Sequence, residues 1–287
     1  MSDAMPSSQA VPRRWRLPFH MPVTGWVGAG MLLFWILVAV LAPLLSSQDP
    51  GHVTASGMFA PPDTQHPLGT DYLGRDVLAR ILDGARYTVG ISLIAAALAS
   101  TMGTVLGILA AMLGGIFDVV ASRLSDALIS MPHLMFALVV VAALGTSIPV
   151  LIGLVAVTYT PGAFRISRSM ALGINAMDFV KVARARGEGM AYILHREILP
   201  NMALPMLTDF GLRFVFVVLL LSGLSFLGLG IQPPHADWGS LVRENVEGIY
   251  EASPAVLVPA LAIASLTIGV NLLIDNLPGR RLTGGDQ

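Results

Sequence analysis

Few residues of this chain could do chemistry. There is no cysteine, so neither a disulfide framework nor a thiolate metal site can form. His66, His133, His195 and His235 are so scattered that no metal constellation is visible, and a lone His133 beside Pro132 reads as a packing or capping residue. No Ser/His/Asp or His/Glu set converges. No Gly-x-x-x-x-Gly-Lys-Ser/Thr run is present, so any ATP must be hydrolysed by another chain. No enzyme activity is expected. The segment whose spacing does suggest a device reads Asp178-Phe-Val-Lys181-Val182-Ala183-Arg184-Ala185-Arg186-Gly187, with Leu199-Pro200 further on. Its first part suits a short helix with small Ala183 and Ala185, and Gly187 is a break where positive φ is allowed. A second helical turn should end near Leu199, because Pro200 disfavours helical geometry before it. Such a helix–Gly–helix unit offers a compact knob to a peripheral partner and can transmit rigid-body force. On spacing alone it is equally an ordinary basic connection.

The elements that would position this segment are membrane helices. The chain is 54% hydrophobic and only 12% charged, against about 25% charged in soluble domains. Mean hydropathy is +0.72. Polar residues are too few to cover a globule of 287 residues, so lipid is the expected solvent. A net charge of −1 gives no case for nucleic-acid binding. A bilayer core needs about 20 apolar residues per helix. Charge-poor runs of that length are Leu17–Gln48, Tyr87–Phe117, Ala127–Phe164, Phe214–Ala236 and Ala252–Ile274. The first is longer than a signal-peptide core and reads as a retained signal-anchor helix. The third is long enough for two spans if Gly145, Thr146 and Ser147 turn between them. The expectation is six helices, with cores at 26–46, 88–113, 122–144, 148–168, 206–230 and 254–275.

Lys and Arg in the connections set the orientation. With the N-terminus inside, the inner segments hold Arg13, Arg14, Arg16, Arg123, Arg165, Arg168, Lys181, Arg184, Arg186, Arg196, Arg213, Arg280 and Arg281. The outer segments hold only Arg75, Arg80, Arg86 and Arg243. Both termini are therefore expected in the cytoplasm. The first outer segment, 47–86, carries Leu73, Val77, Leu78, Ile81 and Leu82 at helical spacing, as a short amphipathic helix at the interface would. The second, from Gln232 to Ser253, has Pro233-Pro234 and Trp238, the latter expected as an interfacial anchor. The inner segment Ser169–Leu204 is long, basic and helix-competent, which suggests that something docks there.

The inner segment is similar to the coupling motif of type I ABC importer permeases, which runs Glu-Ala-Ala, three residues, Gly, nine residues, then a hydrophobic residue near Leu-Pro. Lys181, Val182 and Ala183 take the first three places, followed by Gly187 and Leu199-Pro200. Further runs resemble the dipeptide/oligopeptide/nickel permease family, its C-type subunit. They are His66-Pro-Leu-Gly-Thr-Asp-Tyr-Leu-Gly-Arg-Asp76 with Gly84-Ala-Arg86, Gly114-Gly-Ile-Phe-Asp118 with Arg123, Asp126 and Pro132, Leu224-Ser-Phe-Leu-Gly-Leu-Gly-Ile-Gln-Pro-Pro234 with Asp237-Trp-Gly239, and Asn271-Leu-Leu-Ile-Asp275. The match covers about residues 26–282.

The resemblance implies an all-α integral membrane protein of the bacterial inner membrane with the type I ABC importer transmembrane fold. Its parts would be an N-terminal tail, first helix and periplasmic segment (1–86), a permease domain (87–277) and a cytoplasmic tail (278–287). It implies import of di- or oligopeptides or similar solutes, with nickel, metal chelates or opines as alternatives. It implies a second permease subunit, two ATPase subunits carrying the ATP and Mg, and a periplasmic binding protein. No cofactor is expected on this chain. The ATPase contact would be made by Lys181, Val182, Ala183, Arg184, Ala185, Arg186, Gly187, Leu199 and Pro200. A secondary transporter is the rival class, but it usually shows intramembrane charges or internal repeats, and neither is evident.

Departures from the family pattern are specific. Lys181 and Val182 replace the Glu and first Ala of the coupling motif. Leu221 stands where many relatives carry an acid. Arg213, near the inner start of the fifth helix, is expected to snorkel to the interface, or else to meet an anionic group in the pathway. Gly103 and Gly107 should serve close helix packing. Gly223, Gly228 and Gly230 serve packing or bending. Met21, Met102, Met112, Met131 and Met135 read as apolar filler.

Overall fold

The computed structural model describes residues 21–45, 49–53, 57–251 and 253–277. Arg13, Arg14 and Arg16 of the orientation count, with Arg280 and Arg281 and the expected tail 278–287, lie outside these residues. The described chain is helical, with two isolated β-bridges (Val53 to Arg75 and Thr70 to Asp76) in the first long connection. The helices are α1 (Val23–Leu45), α2 (Val77–Leu113), α3 (Gly115–Ser130), α4 (His133–Leu144), α5 (Ile148–Asn175), α6 (Asp178–Ala185), α7 (Met190–Tyr192), α8 (Leu199–Phe226), α9 (Trp238–Glu244) and α10 (Pro254–Asp275). A π-helical stretch, Ile193–Ile198, joins α7 to α8.

Five helical stretches are long and apolar enough to cross a membrane: α1, α2, α5, Met190–Phe226 and α10. The pair α3 and α4, bent by 92°, makes a sixth. The expected six is reached only with this pair taken as one span, and that span is broken rather than continuous over 122–144. Pro132 explains the break: its ring disfavours helical geometry at Met131, whose backbone is extended (φ −88, ψ 133).

Two other expectations fail. Leu73–Leu82 is not a separate interfacial helix. Its C-terminal part forms the first turns of α2, which starts eleven residues before the expected 88, with Asp76 as N-cap accepting from the Ala79 amide at 2.8 Å. Nor does Pro200 end a helix. It sits in the first turn of α8, directly after the π-helical stretch, and proline is tolerated at a helix start.

The main helix pair is α2 with α5, and glycines set its closeness. A Cβ on Gly103 would stand 2.6 Å from the Thr160 carbonyl oxygen, and one on Gly107 2.6 Å from that of Phe164. The small-xxx-small packing reading of Gly103 and Gly107 is therefore right. Ser167, on the facing side of α5, donates to the Gly103 carbonyl at 3.1 Å. The central core gathers Val89, Ala95, Leu151, Val155, Phe214, Val218, Leu224, Trp238 and Leu266, from α2, α5, α8, α9 and α10. A second, smaller core lies where α5 meets α6 and α8. The segments α6 and α9 cap opposite ends of α8.

Candidate functional site

At one end of α8, the second core holds up the α6 knob. Val180 and Ala183 of α6 are fully buried against Ala171, Ile174, Ile193, Ile198 and Met202, with Leu199 packed against the group. The opposite face is open: Lys181, Val182, Arg184, Ala185, Arg186 and Gly187 are all exposed, as is Pro200. Val182 (56%) and Phe179 (40%) put apolar surface among these cations. Lys181 pairs with Asp178 at 2.9 Å, within the exposed first turn. Arg184 donates to the Asn175 side-chain carbonyl at 2.6 Å. No ion pair at Arg186 or Arg196 occurs among the described residues.

Gly187 has φ +81. Its amide donates to the Arg184 carbonyl at 2.9 Å, and the Glu188 amide to that of Ala183 at 3.2 Å. This double closure of the α6 carbonyls is a Schellman motif, with glycine in the left-handed position. The structure therefore brings Lys181 to Gly187 and Leu199 into one compact unit, with Ala183 and Leu199 inward and the rest outward. Lys181 is already compensated from its own helix.

At the other end of α8, the long sequence runs become a polar cap. Asp71 accepts from Arg75 Nε and Arg80 Nη1, both at 2.7 Å, and Glu244 of α9 accepts from Arg80 at 2.8 Å and Arg75 at 3.1 Å. The Asn245 side chain accepts from the Tyr72 amide at 3.0 Å. Trp238 is fully buried, not an interfacial anchor. Its ring nitrogen donates to the Ile81 carbonyl at 3.0 Å, and its ring packs edge-on to Trp35 at 4.7 Å. The Leu224–Pro234 run closes α8. Gly228 (φ +84) ends the helix, Gln232 ties back to the Gly228 and Gly230 carbonyls, and Ser225 donates to Asp237 at 2.5 Å. Asp237 in turn caps α9 through the Ser240 amide at 2.8 Å. Burial raises the Asp237 carboxyl above the usual carboxylate range, against these hydrogen bonds.

Inside the membrane span, Arg213 neither snorkels nor waits for an outside anion. It is buried and bound to Asp209, Nε to Oδ2 at 2.6 Å and Nη2 to Oδ1 at 2.9 Å, and it donates to the Tyr159 carbonyl of α5 at 2.8 Å. An intramembrane charge pair is thus present, where the sequence was read as having none. Asp209 and Tyr159 are the residues that reading missed. Leu221 is buried in the central core. A second ion pair, Asp118 of α3 with Arg168 of α5, ties the start of the broken span to α5.

Residues 103–282, which carry the knob and the Asp209–Arg213 pair, match the family described as binding-protein-dependent transport system inner membrane component. The chain belongs to this family. The permease is 36% identical over 251 residues to a putative peptide transport system permease protein of Brucella suis, covering 88% of this chain and 84% of that one. It is 32% identical over 251 residues to the dipeptide transport system permease protein DppC of Alkalihalophilus pseudofirmus (88% and 83%). It is 32% identical over 253 residues to the glutathione transport system permease protein GsiD of Pectobacterium atrosepticum (88% and 84%). Among solved structures, an amino acid ABC transporter with histidines superposes with a TM-score of 0.51 at 17% identity, over 69% of the permease and 91% of that chain. That likeness concerns the fold, which is the type I ABC importer transmembrane domain. The permease is a multi-pass membrane component of an ATP-driven importer of the peptide/nickel family.

Proposed function

We propose that this permease forms half of a translocation pathway for peptides or peptide-like solutes, and that the α6 knob is its contact with a separate ATPase subunit. The observation that carries the coupling reading is the build of the knob: a helix packed rigidly on α5 and α8, ended by the Schellman turn at Gly187, with cations and apolar side chains outward. A rigid exposed knob can pass a partner's motion to α5 and α8, which frame the membrane core. Lys181, Val182, Arg184, Ala185, Arg186 and Gly187 form the contact face, while Ala183 and Leu199 seat the knob and Pro200 begins α8. In this reading ATP and Mg reside on two ATPase subunits, a second permease supplies the other half of the pathway, and a binding protein delivers solute at the end capped by α9. The knob end is then cytoplasmic, and the membrane is a bacterial inner membrane. Peptide is the favoured solute because peptide, dipeptide and glutathione permeases are among the relatives.

Co-purification of the tagged permease in mild detergent, followed by mass spectrometry, tests this. The expected result is recovery of a second permease and ATPase chains. Recovery of a folded, stable permease alone would contradict it.

A further inference from the structure

The third span breaks at Met131–Pro132, a point that helix lengths set near mid-depth of a bilayer. At 1.5 Å per residue His133 lies about 17 Å along α4 from Leu144, Tyr159 about 17 Å along α5 from Ile148, and Phe216 about 15 Å along α8 from Phe226, all measured from the same side of a hydrocarbon core about 30 Å thick. These three side chains meet. The His133 and Tyr159 rings are edge-to-face at 5.2 Å, the Tyr159 and Phe216 rings are stacked at 6.4 Å, and the Tyr159 hydroxyl donates to the Phe216 carbonyl at 3.1 Å. Behind them, Arg213 holds the Tyr159 carbonyl and is itself neutralised by Asp209.

This depth is where irregular backbone cannot face lipid, because unpaired amides and carbonyls there have no water to bond. The α4 helix opens at Pro132 with no side-chain cap on its first amides, and Met131, His133 and Met135 are exposed on this chain. Broken spans at membrane depth are tolerated only inside protein or against a water-filled cavity.

We infer that His133, Tyr159 and Phe216 line the solute pathway at mid-membrane depth, as an aromatic station held in place by the buried Asp209–Arg213 pair. The station presents rings, a hydroxyl and an imidazole, and no carboxylate. The guanidinium behind it is committed to Asp209 and to the Tyr159 carbonyl. It suits an amide-rich solute of low net charge, recognised by stacking and hydrogen bonding rather than by an ion pair.

The absence of cysteine from this chain makes the test direct. His133→Cys, Phe216→Cys and, on the outward face of α1, Leu33→Cys are made singly and the permease is assembled with its co-purifying subunits in membrane vesicles. A membrane-impermeant cationic methanethiosulfonate is applied from each side, with and without ATP, and the mass of this chain is read. The expected result is modification at 133 and 216 at least about tenfold faster than at 33, since only a hydrated thiol ionises readily. Equal, slow modification at all three positions from both sides, with and without ATP, overturns the inference and means that lipid or a partner subunit seals this face. The readout concerns hydration of α4 and α8, so it stands or falls independently of whether α6 docks an ATPase.

Discussion

Arg213 lies one turn beyond Asp209 on α8 and grips its carboxylate with two nitrogens, at 2.6 and 2.9 Å. Both side chains are buried, and the third contact of the guanidinium reaches across to α5. Removing one partner leaves an uncompensated charge in a low-dielectric span, which costs about 3–5 kcal/mol. Arg213→Ala and Asp209→Ala should each lower the unfolding temperature in detergent sharply. The double variant should lose less than the sum of the two. Additive losses would show that the pair is not coupled.

Gly187 occupies a backbone conformation that proline cannot reach, since proline fixes φ near −65°. Gly187→Pro should open the end of α6 and uncouple ATP hydrolysis from uptake, while the protein still inserts. Gly187→Ala, strained by about 1–2 kcal/mol, should be milder. Leu199→Asp should act like Gly187→Pro, by unseating the knob from its core. Solute uptake against ATPase rate in reconstituted vesicles decides this; normal uptake in both strong variants sinks the assignment.

Arg80 bridges Asp71 and Glu244, residues separated widely in sequence, and it is buried. Arg80→Ala leaves two carboxylates facing each other near Arg75 alone. We expect faster proteolysis of the 57–76 connection and a lowered melting temperature. Arg80→Lys should recover much of the loss, because one nitrogen, Nη1, holds both carboxylates at 2.7 and 2.8 Å and a single ammonium can donate to both.

Asp237 is one group whose protonation links this cap to pH. Its folded pKa is raised by burial, so the folded state holds its proton longer than the unfolded chain does. The sign follows: the protonated form favours the fold, and that contribution is lost as pH rises through the raised folded value. Unfolding temperature should therefore fall as pH rises across that interval, and Asp237→Asn should flatten the change. An identical pH profile in the variant would contradict the burial account.

Much of this molecule is legible in the sequence because two physical signals are strong. Apolar run length locates the five long spans and the apolar stretch of the bent pair, though not its break, and the Gly187 and Leu199-Pro200 frame locates the knob. What escaped legibility has three causes. The charges at Arg75 and Arg80 signal an aqueous segment, yet they begin a buried helix end, because Asp71 close by and Glu244 far along the sequence together neutralise them. Asp209 and Arg213 dilute an apolar run, and their four-residue spacing was the available sign of an internal pair. Pro132 and Pro200 look alike locally. One breaks its span, and the other follows a π-helical stretch whose Ile193 and Ile198 pack into the second core.

The central claim is that the α6 knob meets an ATPase, and one cross-link tests it most directly. Arg186→Cys is the chain's only thiol, exposed at the tip beside Gly187. A maleimide–benzophenone attached to this thiol and irradiated in the co-purified complex, where the photoreactive end inserts into any nearby C–H bond, should join this chain to an ATPase subunit through position 186. An intact complex in which position 186 reacts with reagent yet joins no ATPase would contradict the account.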